Sequence, residues 1–217
     1  MRDAFVNSSP LDDVTFPFIS MVSGRKVDKR LEKHFGDIAI EDIHLPFFCL
    51  SSNLTSGVIK LHKTGLLRKA LRASISLPGV LPPVVDDGQV LVDGAVMRSF
   101  PATMMRNTHL GTVIGIDVTR ARGLDPKSLV APKNLSSWFA HGDWRRGPPI
   151  VSIMMRSATI ITAADLAVSR AATDLLIIPE PDGVEIRDWK AYDKAVENGY
   201  QTTVATLAQL DSPVTTL

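Results

Sequence analysis

Gln89 to Val96 of the chain read Gln-Val-Leu-Val-Asp-Gly-Ala-Val. Three apolar residues in a row predict a buried strand. That strand ends on a single carboxylate, Asp93, followed by two of the smallest residues, Gly94 and Ala95. Two readings fit such an ending. In the first, Asp93 caps its own backbone and Gly94 supplies a positive φ, an ordinary strand-to-turn corner. Asp86-Asp87-Gly88, a few residues earlier, is of that kind. In the second, the carboxylate stands at the rim of a sheet with space around it and can act as a base. Asp117, at the end of Val113–Asp117 (VIGID), sits at a comparable strand end. In open α/β sheets the chemistry collects where loops leave the carboxyl ends of strands.

Outward from this octet the chain alternates helix and strand. Residues 24–35 (GRKVDKRLEKHF) read as a short charged helix that Gly36 stops. Ile43–Leu54 (IHLPFFCLSSNL) is a β-rich run too apolar to alternate, as in a strand buried on both faces. Thr55-Ser56-Gly57 then turns it into a hairpin with Val58–His62. In Gly65–Ser76, Leu66, Leu67, Ala70, Leu71 and Ser74 share one helical face, with Arg68, Lys69 and Arg72 opposite. Pro78 and Gly79 end that helix, and Pro82-Pro83 keep the connection to the strand irregular. Pro101 opens a further helix through 110, and 112–118 (TVIGIDV) is another buried strand. Residues 120–149 read as a long loop, helical spacing returns over 150–168, and 175–179 (LLIIP) is a last core strand. Residues 188–210 form a closing helix, with Gly199 the position at which it could break. This alternation predicts an α/β sandwich on a mostly parallel sheet.

The 24 basic and 23 acidic side chains nearly cancel, so no strong field attracts nucleic acid or an anionic membrane. The single cysteine, Cys49, excludes an internal disulfide and reads as a packed, inert thiol. The opening residues lack the apolar core of a secretory signal. The most apolar segment, 150–168, is interrupted by Arg156 and Asp165 and is unsuited to spanning a bilayer. A soluble protein is expected, cytoplasmic or peripheral to the inner face of a membrane.

Ala73–Ala102 (ASISLPGVLPPVVDDGQVLVDGAVMRSFPA) resembles the C-terminal signature of the patatin-like lipid acyl hydrolases. In that signature a helix ending in Ala-Ser precedes a Pro-Gly-x-x-Pro-Pro loop, and a strand then delivers Asp-Gly-Gly or Asp-Gly-Ala. Leu11–Gly57 is similar to the branch that contains neuropathy target esterase and bacterial relatives. The likeness runs over about residues 11–118 and loosens beyond. It implies a patatin-like three-layer sandwich, here lacking its N-terminal strands. Residues 1–118 would be the C-terminal part of the catalytic domain, and 119–217 a loop excursion plus closing helices and a last strand of the same domain. It also implies a Ser–Asp dyad that cleaves carboxylic esters of lipids with no metal or organic cofactor. A serine hydroxyl is a poor nucleophile until a neighbouring base takes its proton. By this resemblance Asp93 is the proton acceptor, while Gly94 and Ala95 of the Asp-Gly-Ala motif let the backbone pass close to the nucleophile.

The other half of such a site is missing from the sequence. The only glycines four apart are Gly111 and Gly115, with Val113 between them, so no Gly-x-Ser-x-Gly elbow is present. Ser23, Ser51, Ser52, Ser74 and Ser76 lack that frame, and no two glycines are adjacent to form an oxyanion loop. The expectation is that the nucleophile lies in an absent N-terminal segment or a second chain. The isolated chain, with apolar runs at unpaired edges, should then associate. Arg98-Ser99-Phe100-Pro101 stands where the family often has Asn-Asn-x-Pro, which bears on how the Asp93 loop is positioned. The rivals are a Ser-His-Asp hydrolase and a non-catalytic pseudoenzyme or interaction module of the same fold. For the first, His34, His44 and His109 read as surface or cap residues. His141 with Asp143 offers only two metal ligands, and Asp117 beside Arg120 reads as a strand-end ion pair or cap. Trp138, Trp144, Arg145 and Arg146 are candidates for touching a lipid surface. The expected partner is a lipid ester, not nucleic acid.

Overall fold

The computed structural model describes residues 13–15, 18–108, 111–119, 162–180, 191–211 and 213–214. These group into two compact units, one within Pro10–Arg98 and the other within Ser99–Arg122 and Ala163–Leu217. The expectations for 120–149, for most of 150–168 and for His109, Arg120, Trp138, His141, Asp143, Trp144, Arg145 and Arg146 fall outside the described residues.

In the first unit, helix α1 (Arg25–Phe35) forms as the sequence predicts. Val27 and Leu31 pack with Val22 and Leu81, and the charged residues mostly face outward. Asp13 Oδ2 accepts hydrogen bonds from Lys26 N (3.2 Å) and Ser23 Oγ (2.6 Å), satisfying a backbone donor of the first turn. Gly36 ends the helix at φ 49°, a conformation a side chain would strain. Strands β1 (Cys49–Asn53) and β2 (Val58–His62) make the expected hairpin. Helix α2 (Leu67–Ser74) follows, then β3 (Val84–Asp86) and β4 (Gln89–Asp93).

The sheet order is β2-β1-β4-β3, and every pairing in it is antiparallel. A mostly parallel sheet was the expectation. Here β1–β2 and β3–β4 are joined by turns too short for a crossover, and such turns permit only antiparallel neighbours. Asp87 (φ 48°) and Gly88 (φ 71°) form the second turn, both left-handed, as the two-residue hairpin of a twisted ribbon requires.

Arg72 departs from its expected place on the polar face of α2. It is only 8% exposed, because α1 packs beside that flank. Its Nε donates to Asp28 Oδ1 of α1 (2.7 Å) and its Nη1 to Ser76 Oγ (2.6 Å). Arg72→Met keeps the stem but removes these charge-assisted bonds and leaves Ser76 short of a donor. The expected cost is about 2 kcal/mol, read from urea unfolding of the variant against the parent.

Cys49 sits at the start of β1. Burial pushes its thiol up to about 11, against a smaller opposing effect of the Ser74 side chain. At pH 8 its alkylation, followed by mass spectrometry, should run about two orders of magnitude slower than that of a free cysteine, since only the thiolate reacts.

In the second unit, α3 (Ala102–Thr108), β5 (Ile114–Ile116), α4 (Thr162–Ala171), β6 (Leu175–Ile177) and α5 (Tyr192–Leu207) follow in order. Strands β5 and β6 pair in parallel, with Gly115 opposite Leu176. Gly115 is required by space: a Cβ there would meet Phe100 and Thr173, each at 2.6 Å. The strand expected to be buried is so on one face only. Val113, Gly115 and Asp117 are buried, while Ile114, Ile116 and Val118 are exposed. Helix α5 runs unbroken through Gly199, because one interior glycine costs only about 1 kcal/mol and the flanking turns carry it.

Candidate active site

Asp93 is the last residue of β4, and its position is fixed from three directions. Its Cα pairs with Ser51 of β1. Its N–H donates to Ser76 O (2.9 Å), just beyond α2. Its Oδ1 accepts from Ala95 N (2.8 Å), which makes it the cap of a single 3-10 turn, Gly94–Val96. Part of the plain corner reading therefore holds, since Asp93 does cap its own backbone. The other part does not: Gly94 is absent from the left-handed glycines, while Gly88 is among them. The two Asp-Gly pairs differ in kind.

Gly94 is buried and small for a steric reason. A Cβ on it would stand 2.7 Å from Leu50 O and 3.0 Å from Leu50 Cβ, so the close approach in this structure is to the main chain of β1. Ala95 is half-buried and lends its N–H to the carboxylate. Burial pushes the Asp93 pKa above the usual 3.8, against the smaller opposing pull of the Ala95 hydrogen bond. A carboxylate held in this way binds a proton more readily than one in water.

Asp117 has the opposite character. It is 1% exposed, and Oδ1 accepts from Thr119 N (2.8 Å) while Arg170 approaches Oδ2 with Nε at 2.7 Å and Nη2 at 2.6 Å. Burial alone would raise its pKa, but the Thr119 and Arg170 contacts outweigh that and hold it low. It is a strand-end ion pair whose partner among the described residues is Arg170; Arg120, the partner suggested by the sequence, lies outside them. His34 and His44 are exposed, as a surface role requires.

The structure also brings forward residues that no motif marked. Ser51 and Ser52 sit mid-strand with no exposure at all. Ser51 Oγ and His62 Nε2 share a hydrogen bond of 2.8 Å, and burial, then the neighbouring Lys60, keeps the His62 pKa below the ordinary imidazole value. A fully enclosed hydroxyl has no path to an ester, so this serine–histidine pair is structural. The one sequence signal was two serines set inside an otherwise apolar strand.

A buried strand thus ends on a carboxylate whose burial raises its proton affinity, backed by a glycine packed tightly on the main chain of β1. Residues 4–106 match the patatin-like phospholipase family model, and the chain belongs to that family. Its relatives place it in the branch of neuropathy target esterase. It is 33% identical over 214 residues to an uncharacterized NTE family protein of Mycobacterium tuberculosis, covering 95% of this chain and 36% of that protein. It is 30% identical over 204 residues to patatin-like phospholipase domain-containing protein 6 of Homo sapiens, covering 88% and 14%. Lysophospholipase NTE1 of Kluyveromyces lactis is 28% identical over 196 residues, covering 88% and 14%. The chain thus spans little more than a third of the mycobacterial relative and far less of the other two. Among the described residues no helix is long and apolar enough to cross a membrane.

Proposed function

We propose that this chain supplies the general base of a serine-dependent lipid acyl hydrolase, with Asp93 as proton acceptor and Gly94 and Ala95 shaping its turn. The observation that carries the reading is a strand-end carboxylate whose burial raises its proton affinity. The serine Oγ attacks the ester carbonyl of a phospholipid or lysophospholipid as its proton passes to Asp93. The same proton then goes to the departing alkoxide. Water, deprotonated in turn by Asp93, releases the fatty acid and restores the serine. No Gly-x-Ser-x-Gly occurs in the 217 residues, so the nucleophile and its oxyanion donors are assigned to polypeptide outside this sequence. A lipid surface is the corresponding partner, and a cytoplasmic or peripheral membrane location suits it.

The test uses the full-length polypeptide that contains this chain, a fluorophosphonate probe and lysophosphatidylcholine. Labelling of a serine outside residues 1–217, together with fatty-acid release, is the expected result. A label on a serine within 1–217 would replace the assignment of the nucleophile. A polypeptide that takes no label and releases no fatty acid would be an interaction module of the same fold.

A further inference from the structure

We propose that Ser52 is a positioning residue for Asp93, its hydroxyl holding wound the short turn that aims the carboxylate. The proposal rests on the reading of Asp93 as the base. Ser52 lies on β1 with its Cα opposite Val92, one residue before Asp93. Its Oγ accepts from Met97 N at 3.2 Å and donates to Gly94 O at 3.4 Å, and the side chain is completely buried. One hydroxyl on a rigid strand therefore grips both ends of the Gly94–Val96 turn.

That grip matters because the turn is a single 3-10 turn. Its internal bonds are Met97 N to Gly94 O (3.2 Å) and Arg98 N to the same oxygen (2.8 Å). Runs of this length have poor hydrogen-bond geometry and little cooperativity of their own. The N–H of Ala95, in the middle of the turn, is the donor to Asp93 Oδ1. Among the described residues that is the hydrogen bond the carboxylate makes, so the winding of the turn selects which oxygen is tied and which faces the reacting proton. If the Ser52 hydroxyl is lost, the turn can open at its Met97 end. Ala95 N–H then swings away and the carboxylate gains a freedom it does not have here. A displacement on the order of 1 Å at a reacting group is enough to cost about a hundredfold in rate.

The experiment has two arms. In the full-length polypeptide, Ser52→Ala should lower kcat by about tenfold to a hundredfold with KM unchanged, and Ser52→Thr, which keeps the hydroxyl, should restore most of the rate. Ser52→Cys keeps the size but replaces the hydroxyl by a weak hydrogen-bonding group, and should behave like the alanine variant even if the latter folds badly. In the same full-length polypeptide, the titration of the Asp93 carboxyl followed by carbon-13 NMR should move to higher pH in Ser52→Ala, because the Ala95 bond that lowers its pKa is weakened, and should return in Ser52→Thr. Unchanged kcat and unchanged titration in Ser52→Ala and Ser52→Cys, with Asp93→Asn inactive, would overturn the role of Ser52 and leave the base in place. Turnover surviving in Asp93→Asn would overturn the base itself.

Discussion

Asp93→Asn should abolish ester hydrolysis in the full-length polypeptide, by at least about 10³-fold, and at the same time make the fold more stable near neutral pH. The amide oxygen can still accept the Ala95 N–H, so the turn is preserved, but an amide cannot take up the serine proton. The gain in stability follows from the direction of the pKa shift. Burial raises the Asp93 pKa in the folded chain above its ordinary 3.8. Below that ordinary value the carboxyl is protonated in both states and contributes no difference. As pH rises through the raised value, the folded chain must carry a charge that water would solvate better, and stability is lost. Asparagine does not titrate. The melting temperatures of variant and parent should therefore coincide at low pH and separate, variant above parent, on going to pH 7. A functional group that weakens its own fold in this way is a common mark of a site built for chemistry. Equal melting temperatures at neutral pH would show that burial does not penalise this charge.

Gly94→Ala is the second large effect. The new methyl would sit 2.7 Å from Leu50 O and 3.1 Å from Leu50 C, both main-chain atoms of β1 that cannot rotate aside. The alanine backbone itself is unstrained, because Gly94 lies outside the left-handed region. The whole cost is therefore steric, about 3 kcal/mol in urea unfolding, and the relief available is a shift of the Asp93 corner away from β1. Turnover should fall about a hundredfold with it. Gly88→Ala provides the contrast. Its φ of 71° strains an alanine by about 1–2 kcal/mol, yet nothing lies within 4 Å of the added carbon. That variant should lose stability and keep its rate. Similar rates for the two alanine variants would mean that the packing of Gly94 on Leu50 has no bearing on the site.

These two glycines also mark how far the sequence could be read. Both follow an aspartate, and as dipeptides they are indistinguishable. The neighbouring apolar run singled out Asp93, and the structure puts it at the strand end foreseen for it. What separates the pairs physically is a contact to Leu50, more than forty residues away in the chain, and no local pattern reports that. The same limit applies to strand direction. Alternation and apolar runs reveal that Cys49–Asn53 and Gln89–Asp93 are strands, but they are silent on whether neighbours run parallel, and only the lengths of the turns hinted at hairpins. Arg72 was placed on the solvent face of α2 because helical periodicity knows one helix at a time, whereas α1 covers that flank and brings Asp28 to meet the charge. Ser51 and Ser52 were examined only as nucleophiles. Their work, bracing His62 on one side and the Gly94 turn on the other, becomes visible once cross-strand neighbours are known.

The reluctant thiol of Cys49 gives the molecule a practical advantage. Since it is the sole sulfhydryl and stays protonated well past the pH at which maleimides and methanethiosulfonates act, it need not be removed before a probe is attached elsewhere. A cysteine introduced at the exposed Leu54, whose N–H is tied to Val90 O of β4, would take a spin label or fluorophore alone. The native chain is thereby a ready background for watching the end of β4 away from Asp93, where the strand begins.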